Sequence, residues 1–235
     1  MTARVWDPFL TEQDRRHAGR VPVRPWGFGA SPALLLVDLY RSAFGDRPEP
    51  LLQAMDSWPM TCGLAGWEAL PHIQRLLGAA RDLGVPVIHA RGSVAVPGWH
   101  SRVAETPEDT ERRRRGYEII DEVTPRHGEP VLFKAGPSAF WGTPLTGLLT
   151  ELGVDTLVVA GETTSGCVRA TVVDARTSRY RVTVAEECVF DRTEAAHAVN
   201  LFDMHSKYAD VLPVDEVITR LTRQAEASAA SRRPA

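Results

Sequence analysis

Apolar residues in this chain come in short uninterrupted blocks, without polar alternation. Residues 33–37 (ALLLV), 85–89 (VPVIH), 130–133 (PVLF), 156–160 (TLVVA), 181–185 (RVTVA) and 211–213 (VLP) each form such a block. A strand with no polar face is covered on both sides, as in the interior of a parallel sheet. Between the blocks the spacing becomes helical. Residues 67–83 carry apolar side chains at helical intervals, with Gly84 and Pro86 beyond them as stop signals. Further helices are expected over 145–152, 165–178 and 193–207, and from Val214 onward. Strands alternating with helices in this way predict an α/β domain of three layers, a doubly wound parallel sheet of six strands between two helical layers. No repeat of solenoid period is present.

The two ends of the chain differ from this middle. Residues 1–30 hold Pro8, Pro22 and Pro25 with Arg15, Arg16, Arg20 and Arg24, and have no sustained apolar period. They read as an arm with one helical turn near residues 10–17; packing on a neighbouring subunit and a flexible leader fit it equally. Residues 223–235 are mainly Ala, Ser, Arg and Pro, and read as a disordered, solvated tail. The domain proper is therefore expected over 31–222.

Composition narrows the function classes. Thirty acidic against 27 basic residues give a net charge of −3, which offers no general attraction to nucleic acid or to an anionic membrane. No apolar run is long enough to span a bilayer. Three cysteines, Cys62, Cys167 and Cys188, are an odd number for a disulfide framework and suggest free thiols in a cytoplasmic protein.

In open parallel sheets, ligands bind beyond the carboxyl ends of the strands, where the strand order reverses. Three chemically capable residues stand at such ends: Asp38 after 33–37, Lys134 after 130–133, and Cys167 after the small-residue stretch that follows 156–160. Each alone has an ordinary reading: a loop-ordering carboxylate, a solvated lysine, a packed thiol. Together they make a nucleophile with a base and an electrostatic helper. Cys167 opens a helix, where backbone N–H groups, the helix dipole and a nearby lysine all lower a thiol pKa. Cys188 has no helix start behind it and reads as buried packing, whereas Cys62 leaves both readings open.

Other motifs lead nowhere specific. Gly27-Phe28-Gly29 precedes the first strand, so it is not a phosphate loop. There is no H-E-x-x-H, paired C-x-x-C or His-x-His, so no metal and no cofactor are expected. His89 reads as a satisfied core histidine. Arg112 to Arg115 read as a solvated helix face, with a subunit contact as the lesser alternative.

Taken as a set, these segments resemble the isochorismatase-like cysteine hydrolases, and within them the N-carbamoylsarcosine amidohydrolase group. The resemblance covers nearly the whole chain. It is carried by Phe9-Leu10-Thr11-Glu12-Gln13-Asp14, by Ala33-Leu34-Leu35-Leu36-Val37-Asp38, by Lys134 with Ser138-Ala139-Phe140-Trp141-Gly142-Thr143-Pro144-Leu145, and most specifically by Gly161-Glu162-Thr163-Thr164-Ser165-Gly166-Cys167-Val168-Arg169-Ala170. The resemblance implies a sheet in the order 3-2-1-4-5-6 and a catalytic triad of Asp38, Lys134 and Cys167. It also implies a cis peptide at Glu162–Thr163, an oxyanion hole from the Thr163 and Cys167 amides, and an arginine for a substrate carboxylate at Arg192. Phe44, Trp141 and Thr164 are assigned to the substrate pocket beside these. The family's metal-bearing branch is not matched by His89-Ala90-Arg91-Gly92-Ser93.

The expected activity is hydrolysis of linear amide C–N bonds in a small carbamoyl or amide compound bearing a carboxylate, with ammonia released by way of a thioester. Vinyl ether hydrolysis of the isochorismatase type, and a non-catalytic assembly module of the same fold, are the alternatives. The group resemblance also implies a homo-oligomer, a tetramer or a dimer.

Overall fold

A computed structural model describes residues 4–21, 24–95 and 106–231 of the chain. Its elements run α1 (Glu12–Arg20), β1 (Pro32–Val37), α2 (Arg41–Phe44), α3 (Leu51–Ala54), α4 (Leu64–Asp82), β2 (Val87–Gly92), α5 (Pro107–Gly116), β3 (Val131–Lys134), α6 (Leu145–Glu151), β4 (Thr156–Glu162), α7 (Arg169–Thr177), β5 (Arg181–Phe190), α8 (Glu194–Lys207), β6 (Asp210–Leu212) and α9 (Val214–Ser231). The six strands pair in parallel in the order β3-β2-β1-β4-β5-β6, as the family resemblance implies. The winding reverses between β1 and β4, so the ends of those two strands open the crevice where such folds bind ligands.

The uninterrupted apolar strands are explained by what covers them. Alternate side chains of a strand point to opposite faces. Leu35 and Val37 pack with Leu145 and Leu149 of α6, Val172 of α7, and Leu201 and Met204 of α8. Leu34 and Leu36 pack on the other face with Ile73, Leu76 and Leu77 of α4 and Leu221 of α9. Helix α4 earns its place with Ala69, Leu70, Ile73, Leu76, Leu77 and Ala80, buried at intervals of three and four. Each large side chain of that stripe contributes on the order of 2 kcal/mol through burial.

Two expectations change. Strand β5 continues from Arg181 to Phe190, well past the stop expected after Ala185. The charges that suggested a break are accommodated locally: Glu186 pairs with Arg4 at 2.9 Å, and Glu187 Oε2 accepts from the Val214 N–H at 2.7 Å. The tail expected from residue 223 is instead helical to Ser231. Alanine is the best helix former, and Gln224 Nε2 ties the helix to the Ala30 carbonyl at 3.0 Å. Residues 232–235 lie outside the described residues.

The arm is docked on its own chain. Trp6 is buried against Phe202 and His205 of α8, and Arg4 donates to the Val211 carbonyl at 2.7 Å. The Trp26 and Gly27 N–H groups both donate to the Asp210 carboxylate. Helix α1 carries no buried residue and is held by a Thr11–Asp14 capping box. No described helix is long and apolar enough to cross a membrane.

Candidate active site

The central strand β1 delivers Asp38 to the crevice. The chain turns there, with Asp38 at φ 56°, a left-handed conformation that a short polar side chain tolerates. Lys134 ends β3, two strands away, and between them β2 ends at Gly92, whose N–H reaches the Asp38 carboxyl. Cys167 sits in a tight turn over Thr164–Val168, between β4 and α7. That turn needs its glycines. Gly161 holds φ 120°, and a Cβ on it would lie 1.9 Å from the Val37 carbonyl oxygen, while one on Gly166 would lie 2.5 Å from Thr163 Oγ1. The Glu162–Thr163 peptide bond is cis.

The three side chains meet. Lys134 Nζ is 2.7 Å from Asp38 Oδ2 and donates to Cys167 Sγ at 3.2 Å. Asp38 is within hydrogen-bond reach of the sulfur, yet neither of its oxygens has a well-aligned hydrogen bond among the described residues. Asp38 and Lys134 are buried behind the sulfur, and Cys167 alone of the three lines the cavity in front, whose volume is about 610 Å³.

Electrostatics set the protonation pattern. Burial pushes the Asp38 carboxyl above its ordinary value despite the opposing Lys134 charge. Burial works against the Lys134 ammonium, but Asp38 and Cys167 outweigh it and hold the amine charged well above its usual range. Burial, and then the Asp38 charge, push the Cys167 thiol up to about 12. This corrects the expected low-pKa thiolate: desolvation exceeds the help from Lys134, so the resting sulfur is a thiol next to a carboxylate with raised proton affinity. Of the other cysteines, Cys188 is fully buried, and buried Cys62 points its sulfur at Glu162 Oε2, 3.5 Å away.

Residues 33–216 match the Isochorismatase domain. The chain belongs to the isochorismatase family. Among this family member's relatives, maleamate amidohydrolase of Pseudomonas putida is 36% identical over 200 residues, covering 83% of this chain and 89% of the relative. N-carbamoylsarcosine amidase of an Arthrobacter species is 35% identical over 200 residues, covering 77% and 74%. The crystal structure of N-carbamoylsarcosine amidase from Thermoplasma acidophilum superposes with a TM-score of 0.59 at 27% identity, covering 79% of this chain and 97% of that one.

The structure distributes the remaining expected residues of this isochorismatase-family chain unevenly. Thr163 and Arg192 line the same cavity as Cys167. Arg192 does not lie open: its guanidinium donates to the Met60 carbonyl and faces Glu162 Oε2 at 3.6 Å. Phe44 is not a pocket wall. Its ring is fully buried, edge-on to Phe190 and Trp67, because a large apolar ring next to α4 gains more from the core. Trp141 is 57% exposed and lies away from the cavity lining. Thr164 also turns away, fully buried with its hydroxyl 2.8 Å from His197 Nδ1. Among the described residues, the aromatic walls are Tyr40, Trp58 and Tyr117.

The arginine run is a face of the cavity as well as of the surface. Arg112 and Arg113 of α5 line the crevice, Arg115 lies 5.0 Å over the Trp58 ring, and Arg114 pairs outward with Glu111 and Glu118. Two acidic residues carry structural weight that the sequence reading missed. Asp191 Oδ2 accepts from the Ser165 N–H at 2.7 Å and so pins the turn that carries Cys167. Glu162 is buried on the cavity wall, and burial followed by the Asp38 charge raises it to about 7. A charged residue closing the apolar run TLVVAGE was the available signal. Among the described residues, no group of three or more His, Cys, Asp or Glu side chains could hold a metal ion.

Proposed function

We propose that this chain is a cysteine-dependent amidohydrolase that releases ammonia from a small amide or carbamoyl compound by way of a thioester. The observation that carries the reading is the contact of one ammonium with both a carboxylate, at 2.7 Å, and a thiol, at 3.2 Å, where the thiol lines a cavity of substrate size.

The steps follow from the protonation pattern. Asp38 takes the thiol proton as Cys167 Sγ bonds to the substrate carbonyl carbon, and Lys134 stays charged to balance the sulfur. The oxyanion faces the backbone N–H groups of Thr163 and Cys167; a preorganised donor of this kind is worth about 3–4 kcal/mol of barrier. On collapse the C–N bond breaks and Asp38 returns its proton to the nitrogen, so ammonia leaves and an acyl thioester remains. Water then adds to the thioester while Asp38 accepts its proton. Collapse of that second adduct breaks the C–S bond, and the proton returns to sulfur. Arg192, with Arg112 and Arg113 in the same cavity lining, supplies guanidinium donors suited to a substrate carboxylate.

Ammonia release should be screened over maleamate, N-carbamoyl amino acids, biuret and nicotinamide. At least one should be turned over, and Cys167→Ala should abolish its turnover while the thermal unfolding midpoint stays put. Turnover retained in Cys167→Ala removes the covalent step. Pyruvate from isochorismate, with no ammonia from any amide, would move the chain to vinyl ether chemistry.

A further inference from the structure

Glu162 has no part in the steps above, yet it lines the cavity together with Cys167 and Arg192. Its carboxyl is 4% exposed, accepts from Cys62 Sγ at 3.5 Å, is hydrogen-bonded by Tyr40, and faces the Arg192 guanidinium at 3.6 Å. Arg192 in turn is anchored on the Met60 carbonyl, and its buried Nε has no acceptor among the described residues. The guanidinium still lines the cavity with part of its side chain exposed, but its charge is already countered by an internal carboxylate. A substrate carboxylate brought to Arg192 would meet Glu162 as a like charge in a low-dielectric pocket, where such an approach is costly.

We propose that Glu162 is a specificity-determining residue, competing with a substrate carboxylate for Arg192, so that an anionic substrate is admitted only with a proton on Glu162 and a neutral one regardless of it. The inference rests on the reading of this cavity as the substrate site. Protonated Glu162 stays satisfied, because a carboxylic acid both donates and accepts, and Arg192 is then released to pair with the ligand. The geometry thus builds a charge filter next to the sulfur: neutral amides enter freely, and carboxylated ones enter with uptake of one proton.

The pH range of the filter follows from the groups that face Glu162. From the end of β1 come Asp38, raised by burial against the opposing Lys134 charge, and Tyr40, whose phenol stays protonated because burial and the Asp38 charge both raise it. Ahead of α4 stands Cys62, raised by burial and by Glu162 itself. The nucleophile turn presents Cys167, up at about 12, and the end of β5 presents Arg192 with Asp191 beside it. Glu162, raised to about 7 by burial and then by the Asp38 charge, changes charge near neutrality.

Equilibrium binding tests this without turnover. N-acetylglycine is an amide with a carboxylate that stays ionised above pH 5.5, and N-acetylglycinamide is its neutral counterpart. Titration calorimetry of the full chain should show the N-acetylglycine Kd weakening by about 30-fold from pH 6 to pH 8.5, the change set by the shrinking protonated fraction. Paired titrations in buffers of different ionisation enthalpy should show uptake of about 0.9 proton at pH 8. N-acetylglycinamide should show neither effect. Glu162→Gln should bind N-acetylglycine with a pH-independent Kd close to the low-pH value of the parent. The proposal is overturned by a flat Kd without proton uptake in the parent, by the same pH dependence with the neutral amide, by dependence that survives in Glu162→Gln, or by no N-acetylglycine binding at any pH. The proton-uptake measurement needs only the parent protein, so it decides even where the variant folds poorly. Failure of the ammonia screen would count against the enzymatic reading and leave these binding results interpretable.

Discussion

A carboxylate paired with a cation stands at each end of the β1-β2-β3 half of the sheet, and the two are built to opposite rules. Toward the amino ends, Glu129 takes both arms of the Arg81 guanidinium at 2.7 and 2.8 Å, the Arg126 N–H at 2.9 Å, and His89 Nε2 at 3.0 Å. Burial alone would raise Glu129, but those donors outweigh it and hold the carboxyl down at about 2. At the carboxyl ends, Asp38 has one ammonium, a thiol and the Gly92 N–H, two oxygens without well-aligned hydrogen bonds among the described residues, and a carboxyl raised by burial. The first arrangement satisfies its charge and fixes the join of α4 to the sheet. The second leaves its charge under-satisfied, which gives a base that accepts a proton readily. Satisfaction stabilises, and its shortfall is where chemistry can occur.

The sharpest way to break the contrast is to neutralise each carboxylate in turn. Asp38→Asn keeps a side chain that tolerates φ 56° and should lower kcat for ammonia release by about 10³-fold. Its cost in stability should be smaller than that of the other replacement. Glu129→Gln should do the reverse, lowering the unfolding free energy at pH 7 by about 3 kcal/mol with kcat little changed, as measured by urea denaturation alongside the ammonia assay. Equal stability losses in the two variants would end the distinction. The pH profile carries the same sign. Glu129 is depressed in the folded chain, so its contribution is fully present above the unfolded carboxyl value near 4.5. It is lost as pH falls through about 2. The parent should lose about 3 kcal/mol over that interval, and Glu129→Gln should lack that limb. The smallest effect tests geometry. Arg81→Lys preserves the charge but not the two-armed contact, and should cost about 1 kcal/mol in the same denaturation measurement.

The parallel sheet was legible because burial on both faces removes polar alternation, and 33–37 and 156–160 show that plainly. The meeting of Asp38, Lys134 and Cys167 was legible because strand ends in such a sheet converge, so the three could be placed together before any distance was known. Pocket walls were not legible. An aromatic near a catalytic strand in sequence, such as Phe44, can turn into the core, whereas Tyr40 and Tyr117 reach the cavity through an isolated bridge between Tyr40 and Ile119. The protonation of Cys167 was misjudged for a related reason. Helix starts and neighbouring lysines are visible in a sequence, but the depth of burial that outweighs them is not. Glu162 and Asp191 were passed over because a carboxylate beside a motif looks like loop polarity until its partners are known.

The near-contact at Gly161 leaves that position a single occupant: even a methyl group would overlap the Val37 carbonyl and part the two central strands. The next residue is under no such steric restriction, since its side chain stands on the cavity wall among Cys62, Tyr40 and Arg192, partners that substitution can exchange. A lineage drifting toward a new amide would therefore find its room to vary at 162, one step along from a letter it can never change.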